Sequence, residues 1–282
     1  MGKAENRAVF EDTERLCREN KKLAESVRTS TAGQRLILEK DVLPEISPDI
    51  YEETAKVVVS KKRSFEAAGA YKKDKVAVHN FASALRPGGG VVNGANAQEE
   101  CLCRCSGLYD NLSTQHMWEG FYAPHRRMQD PLHNDDIIFT PGVVVFKSDT
   151  ADPVLLAEEN WFSVDVITCA APDLKGQPGI SYSSGDDRKT VRITDIGLME
   201  LHEKRLRRIL DVAVSEGDEV VILGAFGCGA FGNDPMVVAG AARNVLPDYL
   251  HAFKTIEYAV YCGPGNDRNY KVFEHVLRSF IK

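Results

Sequence analysis

Apolar side chains recur at helical spacing through residues 4–27, at Val9, Leu16, Leu23 and Val27 among many charges. That pattern predicts one amphipathic N-terminal helix packed on the rest of the protein. From residue 35 the period changes. Short β-rich runs at 35–38, 56–59, 76–81, 137–146, 162–169, 219–226 and 255–262 predict strands, the fourth interrupted by Pro141 and Gly142. Helical segments fall between them at 64–71, 97–108, 193–214, 235–250 and 269–281. Strand and helix alternate over most of the length, which predicts one layered α/β domain. In the helix from 193, Leu198, Leu201, Leu206, Ile209, Leu210 and Val214 form a broad core stripe. His202, Lys204, Arg205, Arg207 and Arg208 are expected on a solvated basic face rather than a nucleic-acid surface. Residues 109–136 have no period and contain Trp118, Phe121, Tyr122, three His and two Pro, so a lid or binding loop is expected there.

Composition narrows the class. The 282 residues are 43% hydrophobic and 27% charged, which excludes a disordered, collagenous or coiled-coil chain. No run approaches the roughly 20 apolar residues of a membrane helix, and the first residues lack the apolar core of a signal peptide. Asn6 stands where a myristoylation motif beginning at Gly2 needs Ser or Thr. A cytoplasmic location with no membrane partner is therefore expected. A net charge of −6 opposes nonspecific binding to nucleic acid. Seven cysteines, an odd number, fit a reduced compartment. Cys101, Cys103 and Cys105 have no second cluster to complete a zinc site, so they are read as packing residues and no metal is expected.

Two glycine-rich segments carry the chemistry. The first runs from Asn80 to Glu100, leaving a strand and returning into a helix capped by Asn93 or Asn96. Gly88, Gly89 and Gly90 remove every side chain from one point, so a ligand can approach the backbone amides directly. Gln98, Glu99 and Glu100 follow at the helix start. Adjacent helical residues point about 100° apart, so the two carboxylates cannot flank one bond as an ordinary glycosidase pair does. One can fix a substrate hydroxyl pair while the other, desolvated against the glycines, serves as acid/base. A plain electrostatic role at the helix N-terminus is the bland alternative.

The second segment, from Gly224 to Pro235, follows the apolar run at 219–223. Asp234 is a ready N-cap and Pro235 suits the first helical turn, so the loop delivers free amides and a helix dipole to an anion such as a diphosphate. Gly227, Gly229 and Gly232 also spell the dinucleotide fingerprint. A dehydrogenase fold is disfavoured, because the next strand ends at Tyr261, Cys262 and Gly263 without a ribose-binding acid.

Together the loops resemble the bacterial-type poly(ADP-ribose) glycohydrolases, enzymes of the macrodomain fold, whose signature is a triple glycine followed shortly by Gln-Glu-Glu. Here seven residues separate Gly90 from Gln98. The stretches at 80–84, 101–109, 136–146, 164–173 and 224–234 look like the same family, so the likeness covers most of the chain. It implies a three-layer α/β/α domain with a central mixed sheet over residues 51–282, and an N-terminal helical extension over residues 1–50. It also implies that Glu100 is the catalytic acid/base and that Glu99 holds ribose hydroxyls. Gly88, Gly89, Gly90, Asn93 and Gln98 would belong to the ADP-ribose site, with Asn80 touching the distal ribose. Gly227, Cys228, Gly229, Ala230, Phe231 and Gly232 would form the diphosphate loop, Phe231 packing on that ribose. Asp173 and Phe226 are candidates for the adenine end. The implied partner is poly(ADP-ribose) or another ADP-ribosylated substrate, cleaved from chain ends without a cofactor. A non-catalytic ADP-ribose reader and a hydrolase for another acceptor are the competing readings.

Overall fold

Period-two patterning in the central strands sorts side chains onto two apolar layers. In β3 (Val76–Ala82), Val76 and Val78 face one layer and Ala77 the other; in β8 (Val220–Leu223), Val220 and Ile222 oppose Val221 and Leu223. The remaining strands are β1 (Arg35–Ile37), β2 (Lys56–Ser60), β4 (Ile137–Val145), β5 (Phe162–Ala170), β6 (Tyr182–Ser184), β7 (Asp187–Lys189) and β9 (Thr255–Ala259). The computed structural model describes residues 1–44, 47–175, 182–184, 187–189 and 193–281. Seven strands form one mixed sheet in the order β1-β4-β5-β3-β8-β9-β2, and β6 and β7 pair separately. The block from β5 to β2 is parallel, whereas β4 runs antiparallel to both β5 and β1. The predicted interruption of β4 is a register shift between Thr140 and Val143, where the Gly142 amide donates to Asp165 Oδ1 at 2.8 Å.

Helices cover both faces. One layer takes α8 (Asp195–Glu216), α9 (Pro235–Val245) and α10 (Arg268–Val276) through residues such as Ile209, Val238 and Phe273. The other takes Phe10 of α1 (Lys3–Glu19), Phe65 of α3 (Ser64–Ala68), Leu102 of α4 (Gln98–Cys105) and Leu108 of α5 (Leu108–Leu112). This is the expected three-layer α/β/α arrangement. From β3 the chain turns first towards β5 and later returns through β8 on the other side, so the loops after these strands flank a topological switch point, the usual ligand crevice of such sheets.

Three expectations are corrected. The single helix over residues 4–27 is two helices, because Asn20 takes extended backbone and caps α2 (Lys21–Ala32) through the Lys22 and Leu23 amides. Residues 109–136 are no loose lid: α5, α6 (Gln115–Met117), a π turn at Trp118–Tyr122 and α7 (Ala123–Met128) bury Met117, Phe121, Tyr122 and His125 against the sheet. The face of α8 read as solvated buries His202 and Arg205, whose guanidinium bonds Asp135 at 2.6 Å and the Leu132 and Ala170 carbonyls. Among the described residues no helix is long and apolar enough to cross a membrane. The first helix is tied down by Lys147, itself buried, whose Nζ donates to the Val9 carbonyl, Asp12 and Thr13. The strand β1 places residues 35–37 in the main sheet.

Candidate active site

The loop after β3 turns through Gly88 and Gly89, both at positive φ, where other residues are strained. It returns through a short 3-10 turn at Val91–Asn93 into α4. The helix cap is neither Asn93 nor Asn96. It is Ala97, whose amide donates to Glu100 Oε2 at 3.0 Å, so Glu100, the third helical residue, closes its own N-terminus. Its other oxygen, Oε1, accepts the Gly90 amide at 2.8 Å.

Glu99 is held separately. Its Oε2 accepts the Ser83 amide at 2.8 Å and its Oε1 faces the Asn80 amide at 3.4 Å. Gln98 locks the helix start to the sheet by accepting the Phe81 amide and donating to the His79 carbonyl and the Ser64 hydroxyl. Despite their angular separation on the helix, both carboxylates converge at Gly89. A Cβ there would lie 2.6 Å from Glu100 Oε1 and 3.0 Å from Glu99 Oε2. Both side chains are buried, Glu99 at 2% exposure and Glu100 at 7%. Burial, with the neighbouring Glu100 adding to it, pushes the Glu99 carboxyl up to about 8, so it holds its proton at neutral pH.

The pair lines a cleft of about 630 Å³. Gly227, Gly229, Ala230 and Phe231 of the loop after β8 also line it. That loop is shaped by Asn233, buried at its end, which donates to the Gly227 and Pro172 carbonyls and lies 2.9 Å from His202 Nε2. Asp234 caps α9 through the Met236 amide, with Pro235 in the first turn as expected. The amides and the helix N-terminus thus form a ready anion cradle.

Of the residues singled out in the sequence, Gln98, Glu99, Glu100, Gly89, Gly227, Gly229, Ala230 and Phe231 meet at this cleft. Asn80 is fully buried in β3 and reaches the cleft only through Glu99. Gly90 supports Glu100, and Gly88 lies against Tyr109, whose ring leaves no room for a Cβ there. Asn93 is exposed on the 3-10 turn, Cys228 packs towards the core, and Gly232 closes its loop by donating to the Gly229 carbonyl. Phe226 is buried edge-on against His79 and His202, outside the cleft, and Asp173 also lies outside its lining. Cys103 and Cys105 pack in the core, whereas Cys101 borders the cleft and takes the Arg63 guanidinium on its sulfur at 2.9 Å.

Sequence reasoning passed over Arg63, Asp149, Tyr261 and Asn269, which line the same cleft. Arg63 lies 4.0 Å over the Tyr261 ring and is the sole Lys or Arg among the described lining residues. Burial raises the Asp149 carboxyl to about 6. The available signal was positional: Arg63 and Tyr261 follow the carboxyl ends of β2 and β9, on the same edge as the two glycine loops.

The structure is thus a parallel-centred α/β/α sandwich with a buried acid pair and a glycine-rich loop at its switch point. The family model for the catalytic domain of microbial-type PARG matches residues 5–148, and the chain belongs to that family, glycohydrolases of ADP-ribose polymers. The structure is similar to poly(ADP-ribose) glycohydrolase from Thermomonospora curvata, with a TM-score of 0.84 and 29% identity over 97% of this chain and 99% of that one. The same enzyme bound to the inhibitor ADP-HPD gives a TM-score of 0.78 and 29% identity over 96% and 98% of the two chains. The Deinococcus radiodurans enzyme in complex with ADP-ribose gives 0.73 and 28% identity over 91% and 98%. None of the curated proteins compared with the chain matches it.

Proposed function

We propose that this chain hydrolyses ribose–ribose O-glycosidic bonds of poly(ADP-ribose), releasing ADP-ribose from chain ends, with Glu100 as acid/base. The observation that carries this reading is the convergence of Glu99 and Glu100 on Gly89 inside the cleft that the second glycine loop also lines. A binding module has use for the anion loop but not for two buried carboxyls that converge on one glycine.

ADP-ribose is assigned to the cleft with its diphosphate on the amides of Gly227, Gly229, Ala230 and Phe231 and its distal ribose between Phe231 and Gly89. Gly88, Gly90, Gly232 and Cys228 shape these two loops, and Asn80 acts by orienting Glu99. The adenosine end falls to the part lined by Arg63, Tyr261 and Asn269, where an aromatic face and a guanidinium offer stacking.

Cleavage leaves oxocarbenium character at the distal C1″ while the C1″–O bond breaks. The Glu100 carboxyl donates its proton to the departing hydroxyl oxygen, and the Gly90 amide keeps its Oε1 aimed. The carboxylate then takes a proton from water as that water bonds C1″, which regenerates the acid. Glu99, neutral at pH 7, can both donate to and accept from the ribose hydroxyls. The diphosphate, fixed by backbone amides, offsets the positive ribose. Seven free thiols support a reducing compartment such as the cytoplasm.

Chromatography of the products from purified poly(ADP-ribose) over time tests this reading. Monomeric ADP-ribose from the earliest times supports it. Intermediate oligomers appearing first would replace exo by internal cleavage, and binding without any release would make the chain a reader.

A further inference from the structure

The loop that aims Glu100 is rich in glycine. It contains Gly88, Gly89 and Gly94 at positive φ and is held internally by short backbone bonds such as Ala95 N–H to the Gly90 carbonyl at 3.1 Å. Glycine-rich backbone of this kind has many accessible conformations, and only one of them presents the Gly90 amide to Glu100. Besides the two carboxylates, Arg104 and Asn6 brace the loop by hydrogen bonds from outside. Arg104 of α4 donates to the Ala95 carbonyl at 2.7 Å, and Asn6 of α1 donates from Nδ2 to the Gly94 carbonyl at 3.1 Å, across 88 residues of sequence.

The fit at Asn6 is tight. Any Cβ on Gly94 would overlap the Lys3 carbonyl, so α1 lies directly on the turn. A few residues on, Phe10 packs edge-on against Tyr109 at 4.9 Å, and Tyr109 in turn backs Gly88. The Thr13 hydroxyl donates to the Arg104 carbonyl at 2.6 Å, which ties the two braces together.

Asn6 is only 2% exposed, and its Oδ1 is buried with no hydrogen-bond partner. Stability alone gives little reason for Asn at such a place, because the cost of the orphaned oxygen offsets the one bond that the amide makes. The donor is directed at the buried Gly94 carbonyl, which points to a job there.

We infer that Asn6 is a positioning residue of the hydrolytic site: its amide holds the Gly94 carbonyl, and through the loop sets the Gly90 amide that orients Glu100. The N-terminal helix is then part of the catalytic apparatus rather than an appendage. This inference rests on the hydrolytic reading above.

The test compares full-length wild type, Asn6→Leu and Asn6→Asp for thermal stability and for kcat and KM on poly(ADP-ribose). Asn6→Leu removes the orphaned Oδ1 but also the donor to the buried Gly94 carbonyl, two opposing effects on stability, so melting is expected to shift only modestly while kcat falls about tenfold and KM stays within about twofold. Asn6→Asp lacks the donor when ionised, but a buried carboxyl regains one when protonated. Its activity relative to wild type should rise as pH falls, a signature that a purely structural residue does not give. Wild-type kcat in both variants, or losses that only follow a lowered melting temperature, would overturn the inference. No turnover by the wild type itself would instead overturn the hydrolytic reading, and the role of Asn6 with it.

Discussion

Glu100 Oε1 lies 2.6 Å from the point where a Cβ on Gly89 would stand, so the acid occupies the space that a side chain at residue 89 would need. Glycine there is required twice over, by this approach and by a φ of 60°. By contrast, a Cβ on Gly229 would meet nothing within 4 Å and would project into open space.

Gly89→Ala should therefore lower stability by about 1–3 kcal/mol and abolish turnover, through strain and displacement of Glu100. Gly229→Val should fold with stability within about 0.5 kcal/mol of wild type and lose ADP-ribose affinity by blocking the amides. Denaturant unfolding and calorimetric titration with ADP-ribose separate the two outcomes. Normal affinity in Gly229→Val would remove the second glycine loop from the site.

Asn233 links the second loop to α8 through His202 and to the Pro172 carbonyl. Asn233→Ala leaves several buried groups unpaired and should cost about 1–3 kcal/mol of stability. The backbone N–H of residue 233 still holds the Gly227 carbonyl, but the loop loses the side-chain bond to it and the tie to Pro172, so ADP-ribose binding should weaken more than tenfold, on the order of 1.4 kcal/mol or more. Calorimetry below the unfolding transition tests this.

Glu99 holds its proton up to about pH 8 chiefly because it is buried. Above that pH Glu99 becomes negative, in a cleft that must accept a diphosphate. The value of kcat/KM should accordingly fall as pH rises through about 8, with an alkaline limb missing from the residual activity of Glu99→Gln. An alkaline limb of the same midpoint in that variant would assign it to another group.

Stability should also fall between about pH 6.5 and pH 8. Asp218, whose buried carboxyl faces that of Asp165, is pushed up to about 8 by burial and by Asp165, and Glu99 behaves alike. Folded protein keeps protons there that the unfolded chain has already released, so raising pH favours unfolding. The buried His79, lowered to about 3, and His133 and His202, lowered to about 4, act oppositely. They remain neutral when folded, and their effect is confined to pH below the ordinary value of about 6.5. Asp218→Asn should raise the melting temperature at pH 8 and flatten the slope, with about 1 kcal/mol gained at pH 7. Equal slopes in the two proteins would contradict the assignment.

Much of this was legible in the chain because local chemistry set it. The β-branched runs at 76–81 and 162–169, the Pro141-Gly142 break and the Asp234 cap all act on neighbouring residues, and each stands where expected. Glu99 and Glu100 were visible as a pair, but their convergence depends on a glycine turn folding back over the helix start, which helical angles alone do not contain. Arg63 and Tyr261 were missed because they come together only when β2 and β9 pair. The segment 109–136 looked irregular because its short helices bury side chains on several faces, which erases any single period.

The most direct test of the central claim sets wild type against Glu100→Gln for release of ADP-ribose from purified poly(ADP-ribose), with ADP-ribose affinity measured by calorimetry. Gln keeps one acceptor oxygen, which can still take the Ala97 amide and close the helix N-terminus while the bond from Gly90 is lost, so the fold should persist and affinity stay within about tenfold. Release should drop by about a thousandfold or more. Wild-type rates of release from Glu100→Gln would contradict the role of Glu100 as the acid/base.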